Sequence, residues 1–488
     1  MSTSQLLIDG EWRSASSGAT YENIDPATEE VIGLVADGTA EDMNAAITAA
    51  RRAFDTTEWA TNLELRKRGL QELNEALATN ALVLGEILIR EAGTTPTAVY
   101  GGFGIQMELV NELVGFLTEA LDTYEFNAVA PAKNILGTES VREFRKEAAG
   151  VVAAITPWNF PHNTNLRKVA PALAAGCSVI LKPAIETPFS AVFLGRMITD
   201  HCPSIPAGIV NVVTTSDNSV AELLSTSEDV DLITFTGSTG VGRRLFRNAS
   251  ATVKRVCLEL GGKSAAIVLD DADFPTAVGS VVSSIALHAG QACTASTRLL
   301  VPRARLEEAN AIAKDAAEAI KYGEQHQDTA IMGPLVSQRQ RERVLDYIAI
   351  GKEEATLLTG GKAPQGFDRG YFVEPTVFTD AAADSRIATE EIFGPVVVLI
   401  AYDDEDDAVR IANSSIYGLS GEVWSGDLQR GKDVAARIRT GTISVNGAPW
   451  IESDSPMGGY KQSGVGREFG IEGFEEFLET KVMSSPPS

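Results

Sequence analysis

Cysteine and histidine, the residues that build most zinc and redox sites, are scarce in this chain. Its 488 residues include four of each, and no two cysteines stand about two to four residues apart, as a zinc site or a redox pair requires. We therefore expect no metal. A chain of this length needs no disulfides for stability, so the reducing cytoplasm is its expected compartment. The cysteines are Cys177, Cys202, Cys257 and Cys293.

Long apolar runs and an excess of basic charge are also absent. No segment approaches the ~18 apolar residues of a membrane span, and residues 1–11 lack the basic and apolar regions of a secretory signal. The 41 basic and 66 acidic residues give a net charge of −25, which opposes binding to nucleic acid and to anionic membranes. Hydrophobic residues make up 44% of the chain, enough for the cores of roughly two or three domains.

Short apolar segments alternate with helix-like segments from residue 151 onward. This alternation predicts a doubly wound α/β fold with a parallel sheet, whose ligands bind beyond the carboxyl ends of its strands. A second alternating run, at about residues 261–440, predicts a second α/β unit packed on the first, with Cys293 facing the first sheet. Thr187 and Pro188 are expected to begin the helix that ends near His201. The first predicted strands are Val151–Ile155, Ser178–Leu181, Ile209–Val213, Leu232–Phe235 and Val253–Leu258.

The N-terminal region contains predicted elements to which we attach no chemistry. Leu6–Ile8 and Glu11–Arg13 flank an Asp-Gly turn and predict a hairpin, and Thr39 with Asp42 predicts a helical capping box. At about residues 126–148, polar strand-like segments surround a glycine turn. Such a ribbon is marginal alone, so we expect either a partner surface, such as another subunit, or a solvated surface hairpin.

Three polar residues in turns have the chemistry for attack on a carbonyl group. Cys293 follows a glycine turn and is flanked by small residues, which suits a nucleophile, although a lone cysteine is more often a buried apolar residue. Glu259 ends a predicted strand and is either a structural cap or a general base. Asn159, in a turn bounded by prolines, is either a turn former or a neutral oxyanion donor. A Cys–His pair with His288 stays an alternative.

Two further features suit a phosphate-bearing ligand. The segment Phe235–Gly242 follows a strand and opens a helix, where glycines let the backbone approach a phosphate. It matches neither the GxGxxG nor the Walker pattern, so alone it predicts only a turn near a phosphate. Lys182, at the end of another strand, either grips a nucleotide or is solvated.

Taken jointly, these segments resemble the aldehyde dehydrogenase superfamily in order and spacing, from about residue 6 to about residue 482. Each motif is weak alone, but their ordered combination is specific. The motifs are Pro157–Pro161, Lys182-Pro183, Phe235–Gly242, Glu259–Ser264, Gly290–Cys293, Glu391–Pro395 and Pro456–Lys461.

The resemblance implies a covalent mechanism. Cys293 would attack an aldehyde to form a thiohemiacetal, and the Asn159 amide and the Cys293 backbone N–H would stabilise its oxyanion. Loss of hydride to a nicotinamide would leave a thioester. Glu259 would then activate water to hydrolyse it, with Lys168 helping to relay the proton. The retained Glu259 implies release of a free acid, because coenzyme-A-acylating relatives lack this glutamate.

The resemblance also implies a dinucleotide cofactor. NAD is the expected cofactor, and NADP is left open because Ile185 stands where many NAD-preferring relatives carry a glutamate. Isoleucine neither bonds the ribose hydroxyls nor repels a 2′-phosphate. The positions that match cofactor contacts are Thr156, Trp158, Lys182, Ile185, Gly237, Ser238, Gly242, Leu260, Glu391 and Phe393.

The positions that match the aldehyde tunnel of relatives are mostly apolar. They imply a medium-sized hydrophobic aldehyde, either aliphatic, terpenoid or aromatic. Arg167 is unexpected among them, and it either points to solvent or selects an acidic group. The tunnel positions are Phe160, Thr164, Arg167, Trp450, Ile451 and Met457.

The resemblance further implies three structural parts. These are a Rossmann-like dinucleotide-binding domain (1–125 and 149–260), an α/β catalytic domain (261–465) and a small β-ribbon oligomerisation element (126–148 and 466–488). The resemblance also implies that the protein forms a homodimer or a homotetramer. Two rival functions stay open: a cofactor-independent thiol esterase or hydrolase, and a non-catalytic family member, although such a member would be expected to have lost Cys293 or Glu259.

Overall fold

The computed structural model describes residues 3–100, 108–323 and 330–487, and its strands form four sheets. In chain order the strands are β1 (Leu6–Ile8), β2 (Glu11–Arg13), β3 (Thr20–Ile24), β4 (Val31–Ala36), β5 (Asn127–Lys133), β6 (Glu139–Ala148), β7 (Val151–Ile155), β8 (Ser178–Lys182), β9 (Val210–Val212), β10 (Leu232–Thr236), β11 (Arg255–Glu259), β12 (Ala265–Val268), β13 (Arg298–Pro302), β14 (Thr356–Thr359), β15 (Thr376–Thr379), β16 (Val396–Tyr402), β17 (Gly421–Trp424), β18 (Ser444–Val445), β19 (Gly464–Val465) and β20 (Leu478–Ser485).

Helices connect these strands and cover the sheets. In chain order they are α1 (Ala40–Thr56), α2 (Leu63–Thr79), α3 (Ala81–Ala92), α4 (Pro96–Tyr100), α5 (Glu108–Thr123), α6 (Pro161–Ala175), α7 (Phe189–His201), α8 (Asn218–Thr226), α9 (Thr239–Ala249), α10 (Phe274–Ser284), α11 (Leu306–Ala319), α12 (Gln338–Glu354), α13 (Arg386–Thr389), α14 (Glu405–Asn413), α15 (Leu428–Ala435) and α16 (Gly470–Glu475). Short 3₁₀ turns lie at Leu287–Gly290, Arg303–Arg305 and Lys461–Ser463.

The first large sheet has the order β19-β11-β10-β7-β8-β9-β1-β2. Its middle strands, β11 to β9, are parallel, which confirms the predicted doubly wound sheet. Every residue of β7 is buried. Val152 and Ala154 pack into one core while Val151 and Ala153 pack into another on the opposite face. A strand buried on both faces must be apolar throughout, as the sequence of β7 is.

The second large sheet has the order β14-β15-β16-β13-β12-β17-β18, and its strands are parallel except for β14. It has a separate hydrophobic core, which includes Ile267, Leu299 and Val398. The prediction of a second α/β unit is therefore confirmed.

The polar ribbon is the hairpin of β5 and β6. Strand β20, from the C-terminal end of the chain, pairs antiparallel with β6 from Leu478↔Ala148 to Ser485↔Val141. One edge of the hairpin is thus covered by the same chain, and β5 forms an edge of the three-stranded sheet.

Two of the smaller predictions are confirmed and one is wrong. Strands β1 and β2 form the expected hairpin, and Thr39 with Asp42 forms the capping box of α1. Helix α7 ends at His201 as predicted, but it begins at Phe189, after Pro188 rather than with it. Its first N–H groups donate to the Glu91 carboxylate, at 2.7 and 3.0 Å, so a side chain from α3 caps the helix in place of Thr187.

Candidate functional site

The polar motifs of the first half of the chain meet at one edge of the first sheet. Strands β11, β10, β7 and β8 are neighbours and parallel, so their carboxyl ends point the same way. Glu259 ends β11, Lys182 ends β8, and Thr156 directly follows β7. The register pairs Thr236 with Glu259 and Ile155 with Lys182, which places these side chains along the end of a single sheet.

The loop that carries Cys293 is held by an unusual backbone. His288, Ala289 and Gly290 have φ values of 50°, 52° and 71°, in the left-handed region that non-glycine residues rarely adopt. A Cβ on Gly290 would lie 2.2 Å from the Gly394 carbonyl oxygen, so only glycine allows this approach. Cys293 keeps part of its surface accessible, whereas the other three cysteines are buried.

Asn159 reaches this loop from the first sheet. Its Nδ2 donates to the Gln291 carbonyl oxygen at 2.9 Å, which leaves the second N–H of the amide available. The Cys293 backbone N–H donates to none of the described residues. The Asn159 amide and the Cys293 backbone N–H are thus two available donors at the Cys293 loop, and preorganised donors of this kind are what an oxyanion site requires.

Gln291, to which the sequence analysis gave no role, holds the loop in place. Its buried side chain donates to the His288 carbonyl at 2.9 Å and accepts from the Val336 N–H at 2.9 Å. A long polar side chain within a run of small residues was the one available signal. His288 itself is buried beside Phe160, with 5.5 Å between ring centroids.

Glu259 and Cys293 form an electrostatically coupled pair. Glu259 is 2% exposed, and neither of its oxygens has a partner of hydrogen-bond geometry among the described residues. Burial raises the pKa of its carboxyl to about 7, an effect that the charge of Arg167 partly offsets. Burial also raises the pKa of the Cys293 thiol, and the charge of Glu259 adds to that rise. The arrangement favours a protonated thiol beside a carboxylate able to take its proton.

A buried ion cluster lies behind this pair. Lys168 Nζ is 2.5 Å from Glu468 Oε1, and Arg167 Nη1 is 3.2 Å from Glu468 Oε2. All three side chains are buried. The sequence analysis missed Glu468, although two adjacent cations inside an apolar helix signal that a buried counter-charge must exist.

The residues predicted to contact a cofactor surround the same sheet edge. Glu391 Oε1 accepts from the Gly262 N–H at 2.9 Å. Trp158 and Phe393 meet edge to face, with 5.3 Å between ring centroids. Gly262 also contacts the Cys293 loop, since a Cβ on Gly262 would lie 2.3 Å from the Cys293 carbonyl oxygen. The two α/β units meet here through Trp158 with Phe393 and through Asn159 with Gln291 of the Cys293 loop.

The phosphate side of the site fits an anionic ligand. Lys182 is buried, and its ammonium makes no hydrogen bond or ion pair with a described residue; burial accordingly lowers its pKa. Ser238 caps the N-terminus of α9, where backbone N–H groups favour anions. Lys182 ends β8 and the N-terminus of α9 follows β10, at the carboxyl ends of strands of one sheet, and both features suit the phosphates of a dinucleotide.

The remaining predicted cofactor positions come after strands β7, β8, β10 and β11 of the first sheet. Thr156 donates its hydroxyl to Asn165 at 2.7 Å. Gly237 and Gly242 allow close packing, because a Cβ would lie 2.5 Å from the Phe235 ring and 2.6 Å from Leu260 respectively. Ile185 is 39% exposed and lines a groove of about 500 Å³. None of the residues that line this groove belongs to the Cys293 loop, so the groove is not the site of the thiol chemistry.

Several of the predicted tunnel residues belong to the same hydrophobic core as Cys293. Trp450, Ile451 and Cys293 pack against one hydrophobic core that includes Met457. Thr164 directs its hydroxyl to the Phe160 carbonyl at 2.9 Å. The alternative that Arg167 points to solvent is wrong, because it is 6% exposed.

Two classes of feature are not found in the part of the chain that the structure describes. Within residues 3–100, 108–323 and 330–487, no helix has both the length and the apolar character that crossing a bilayer demands. Within the same ranges, histidine, cysteine and carboxylate side chains form no group able to hold a metal ion.

The chain is similar to proteins of known activity along almost all of its length. It is 43% identical to 3-succinoylsemialdehyde-pyridine dehydrogenase from a Pseudomonas species, over 98% of both chains. It is 37% identical to betaine aldehyde dehydrogenase from Bacillus subtilis, over 98% of this chain and 96% of that one.

Solved structures are also similar to this chain along almost all of its length. A mutant of aldehyde dehydrogenase C from Pseudomonas syringae, in complex with NAD+ and octanal, superimposes with a TM-score of 0.92 at 38% identity, over 98% of this chain and 96% of that one. Betaine aldehyde dehydrogenase from Staphylococcus aureus, in complex with NAD+, gives 0.94 at 34% identity, over 99% and 94%. The sequence model of the aldehyde dehydrogenase family matches residues 12–483. The chain belongs to the aldehyde dehydrogenase family.

Proposed function

We propose that this protein oxidises an aldehyde to the carboxylic acid with NAD, through a thioester on Cys293. The observation that carries the proposal is the meeting of three groups at one loop: the thiol of the partly exposed residue Cys293, the buried Glu259 carboxyl whose charge acts on it, and the Asn159 amide donor. A thiol, a base and an oxyanion donor are the groups that acyl chemistry on a carbonyl requires.

The first half of the reaction forms a covalent adduct. The Cys293 thiol gives its proton to Glu259, and the sulfur attacks the carbonyl carbon of the aldehyde. The free N–H of Asn159 and the Cys293 backbone N–H stabilise the oxyanion of the thiohemiacetal. A nicotinamide held by Glu391 and Phe393 would supply the hydride acceptor: the C–H bond of the thiohemiacetal would break, the oxyanion would re-form a carbonyl, and a thioester would be left on Cys293.

The second half releases the acid. Once Glu259 has released the thiol proton to solvent, its carboxylate removes a proton from water, and the resulting hydroxide attacks the thioester carbon. The C–S bond then breaks, which frees the carboxylic acid and the Cys293 thiolate. Lys168, hydrogen-bonded to Glu468, provides a route for the proton that Glu259 collects.

For the cofactor, Lys182 and the N-terminus of α9 would hold the phosphates, and Glu391 with Phe393 would hold the nicotinamide end. The groove beside Ile185 is lined by Glu22, Glu186 and Glu342, against a single Arg339. This excess of negative charge opposes the additional phosphate of NADP, which supports NAD as the preferred cofactor. Two solved relatives carry NAD+.

For the substrate, we infer a medium-sized hydrophobic aldehyde, aliphatic, terpenoid or aromatic. The apolar character of Trp450, Ile451 and Met457, which share one hydrophobic core with Cys293, supports this inference. The relative solved with octanal and the relative named for a pyridine-bearing semialdehyde are consistent with it.

For assembly, we propose a homodimer or homotetramer in the cytoplasm, formed through an oligomerisation element at 126–148 and 466–488. Exposed apolar side chains on this element, Val129, Ile135, Leu136 and Val482, support the assembly. We divide the rest into a cofactor domain (1–125 and 149–260) and a catalytic domain (261–465), whose last two residues form β19 at the edge of the first sheet. All four cysteines are free, which suits a reducing compartment.

The test is spectrophotometric. We expect NADH absorbance to grow when the protein is mixed with NAD+ and hexanal, and to grow more slowly with NADP+ in place of NAD+. Hydrolysis of p-nitrophenyl acetate without any aldehyde oxidation would point to a thiol esterase. Neither reaction, in a folded protein that binds NAD+, would point to a non-catalytic member of the family.

A further inference from the structure

Arg167 belongs to a buried group of four charges, which we call the charge cluster: Arg167, Lys168, Glu259 and Glu468. Each of these side chains is no more than 6% exposed. Arg167 and Lys168 are neighbours on α6, whose residues are all buried. Burying a charge is costly unless an opposite charge compensates it, so the balance of the cluster decides which of its members are ionised.

The contacts of Arg167 fix its direction. Its Nη1 lies 3.2 Å from Glu468 Oε2 and 3.2 Å from Met457 Sδ, and its guanidinium lies over the Phe469 ring, 5.3 Å from the centroid. Lys168 binds the other oxygen of Glu468 and the Thr234 hydroxyl. Because Arg167 is already paired with Glu468, a substrate carboxylate could bind Arg167 only by competing with Glu468 in this buried ion pair.

The cluster contains two cations and two carboxylates. One positive charge balances ionised Glu468, whose pKa the two cations lower against the effect of burial. The second positive charge is left for Glu259, whose oxygens have no hydrogen-bond partner among the described residues.

The pairing of β10 with β11 places Glu259 beside these charges: Lys168 binds the Thr234 hydroxyl on β10, and Thr236, two residues further along β10, pairs with Glu259. Burial raises the pKa of Glu259 most; Arg167 lowers it, Glu468 raises it, and the Cys293 thiol and Lys168 lower it. The thiol of Cys257 also faces the cluster and interacts with Glu259.

We propose that Arg167 is a positioning residue for the base: it supplies the positive charge that keeps Glu259 ionised when water is activated. This inference rests on the proposed function and deepens it. This role explains why a charged residue stands among the apolar tunnel positions. Lys168 alone would balance only Glu468, so a second cation is required to balance the charge of Glu259.

The principal test is the pH dependence of kcat with NAD+ and saturating hexanal. Arg167→Met removes the charge and keeps an unbranched side chain. We expect the acid limb of the profile to move up by about 1 pH unit or more, which is typical for loss of an adjacent opposite charge. On the acid limb, a shift of 1 pH unit lowers turnover at a given pH by about ten-fold, and turnover should recover at higher pH. Arg167→Lys should keep the acid limb in place.

Glu468→Gln gives an independent test if Arg167→Met does not fold. It removes one negative charge, so both cations act on Glu259 and the acid limb should move down. The double variant Arg167→Met/Glu468→Gln restores the balance, and its limb should return towards that of the wild type. A merely structural role of Arg167 predicts no such opposite shifts.

The outcomes separate this inference from the proposed function. A wild type that forms no NADH with hexanal would reject the proposed function itself. An active wild type, together with an unmoved acid limb in Arg167→Met or Glu468→Gln, would overturn the role of Arg167 alone. An unmoved limb with KM raised for succinic semialdehyde, and unchanged for hexanal, would instead assign Arg167 to recognition of an acidic substrate.

Discussion

Replacing Glu259 with glutamine should stabilise the protein at neutral and alkaline pH. Glu259 is buried, and its pKa is raised from 4.5 to about 7. A carboxyl whose pKa is higher in the folded than in the unfolded state favours folding while it is protonated, and this contribution is lost as the pH rises from about 4.5 to about 7. Above pH 7 the folded wild type therefore bears a cost of about 3 kcal/mol, which glutamine avoids because it carries no charge.

The assay is thermal melting of the wild type and Glu259→Gln across this pH range. Unfolding entropy is about 2 cal/mol/K per residue, so the difference corresponds to about 3 °C if the whole chain melts as a unit. We expect Glu259→Gln to melt higher at about pH 8, with a smaller advantage as the pH falls towards 5. Glu307→Gln, the same change at an exposed position, is the matched control. A melting difference that does not vary with pH would refute the reasoning.

Three further substitutions have expected outcomes. Cys293→Ala should abolish NADH formation and preserve NAD+ binding, measured by quenching of protein fluorescence; turnover at the wild-type rate would reject Cys293 as the nucleophile. Gly262→Ala places a Cβ 2.3 Å from the Cys293 carbonyl oxygen, so kcat should fall about 100-fold because the Cys293 loop is displaced. The control is Gly279→Ala on α10, where the added Cβ meets no other atom, and its kcat should stay near the wild-type value. Lys182→Met should raise the Kd for NAD+ about ten-fold or more, about 1.4 kcal/mol, and titration calorimetry showing an unchanged Kd would remove Lys182 from the cofactor site.

The parts of this structure that the sequence could predict are those with a local signal. Strand β7 is apolar at every position and lies between helices, so its burial on both faces follows from the pattern alone. The placement of Glu259 and Lys182 at one edge of the first sheet follows from their positions at strand ends, because parallel strands bring such ends together.

The parts that the sequence could not predict depend on contacts between distant segments. Glu468 lies 300 residues from Lys168, and no local pattern identifies it as the counter-charge of α6. Glu91 caps α7 from another helix, where Thr187 and Pro188 offered the local alternative. Gln291 is recognisable as a support for the Cys293 loop only once Val336 is known to lie against it.

The most direct test of the central claim is mass spectrometry of Glu259→Gln after incubation with NAD+ and hexanal. Without the carboxylate that activates water, the thioester should accumulate. We expect the protein mass to increase by one hexanoyl group, located on the peptide that contains Cys293, with about one NADH formed per subunit. Steady turnover at the wild-type rate with no acyl group on Cys293 would contradict the account.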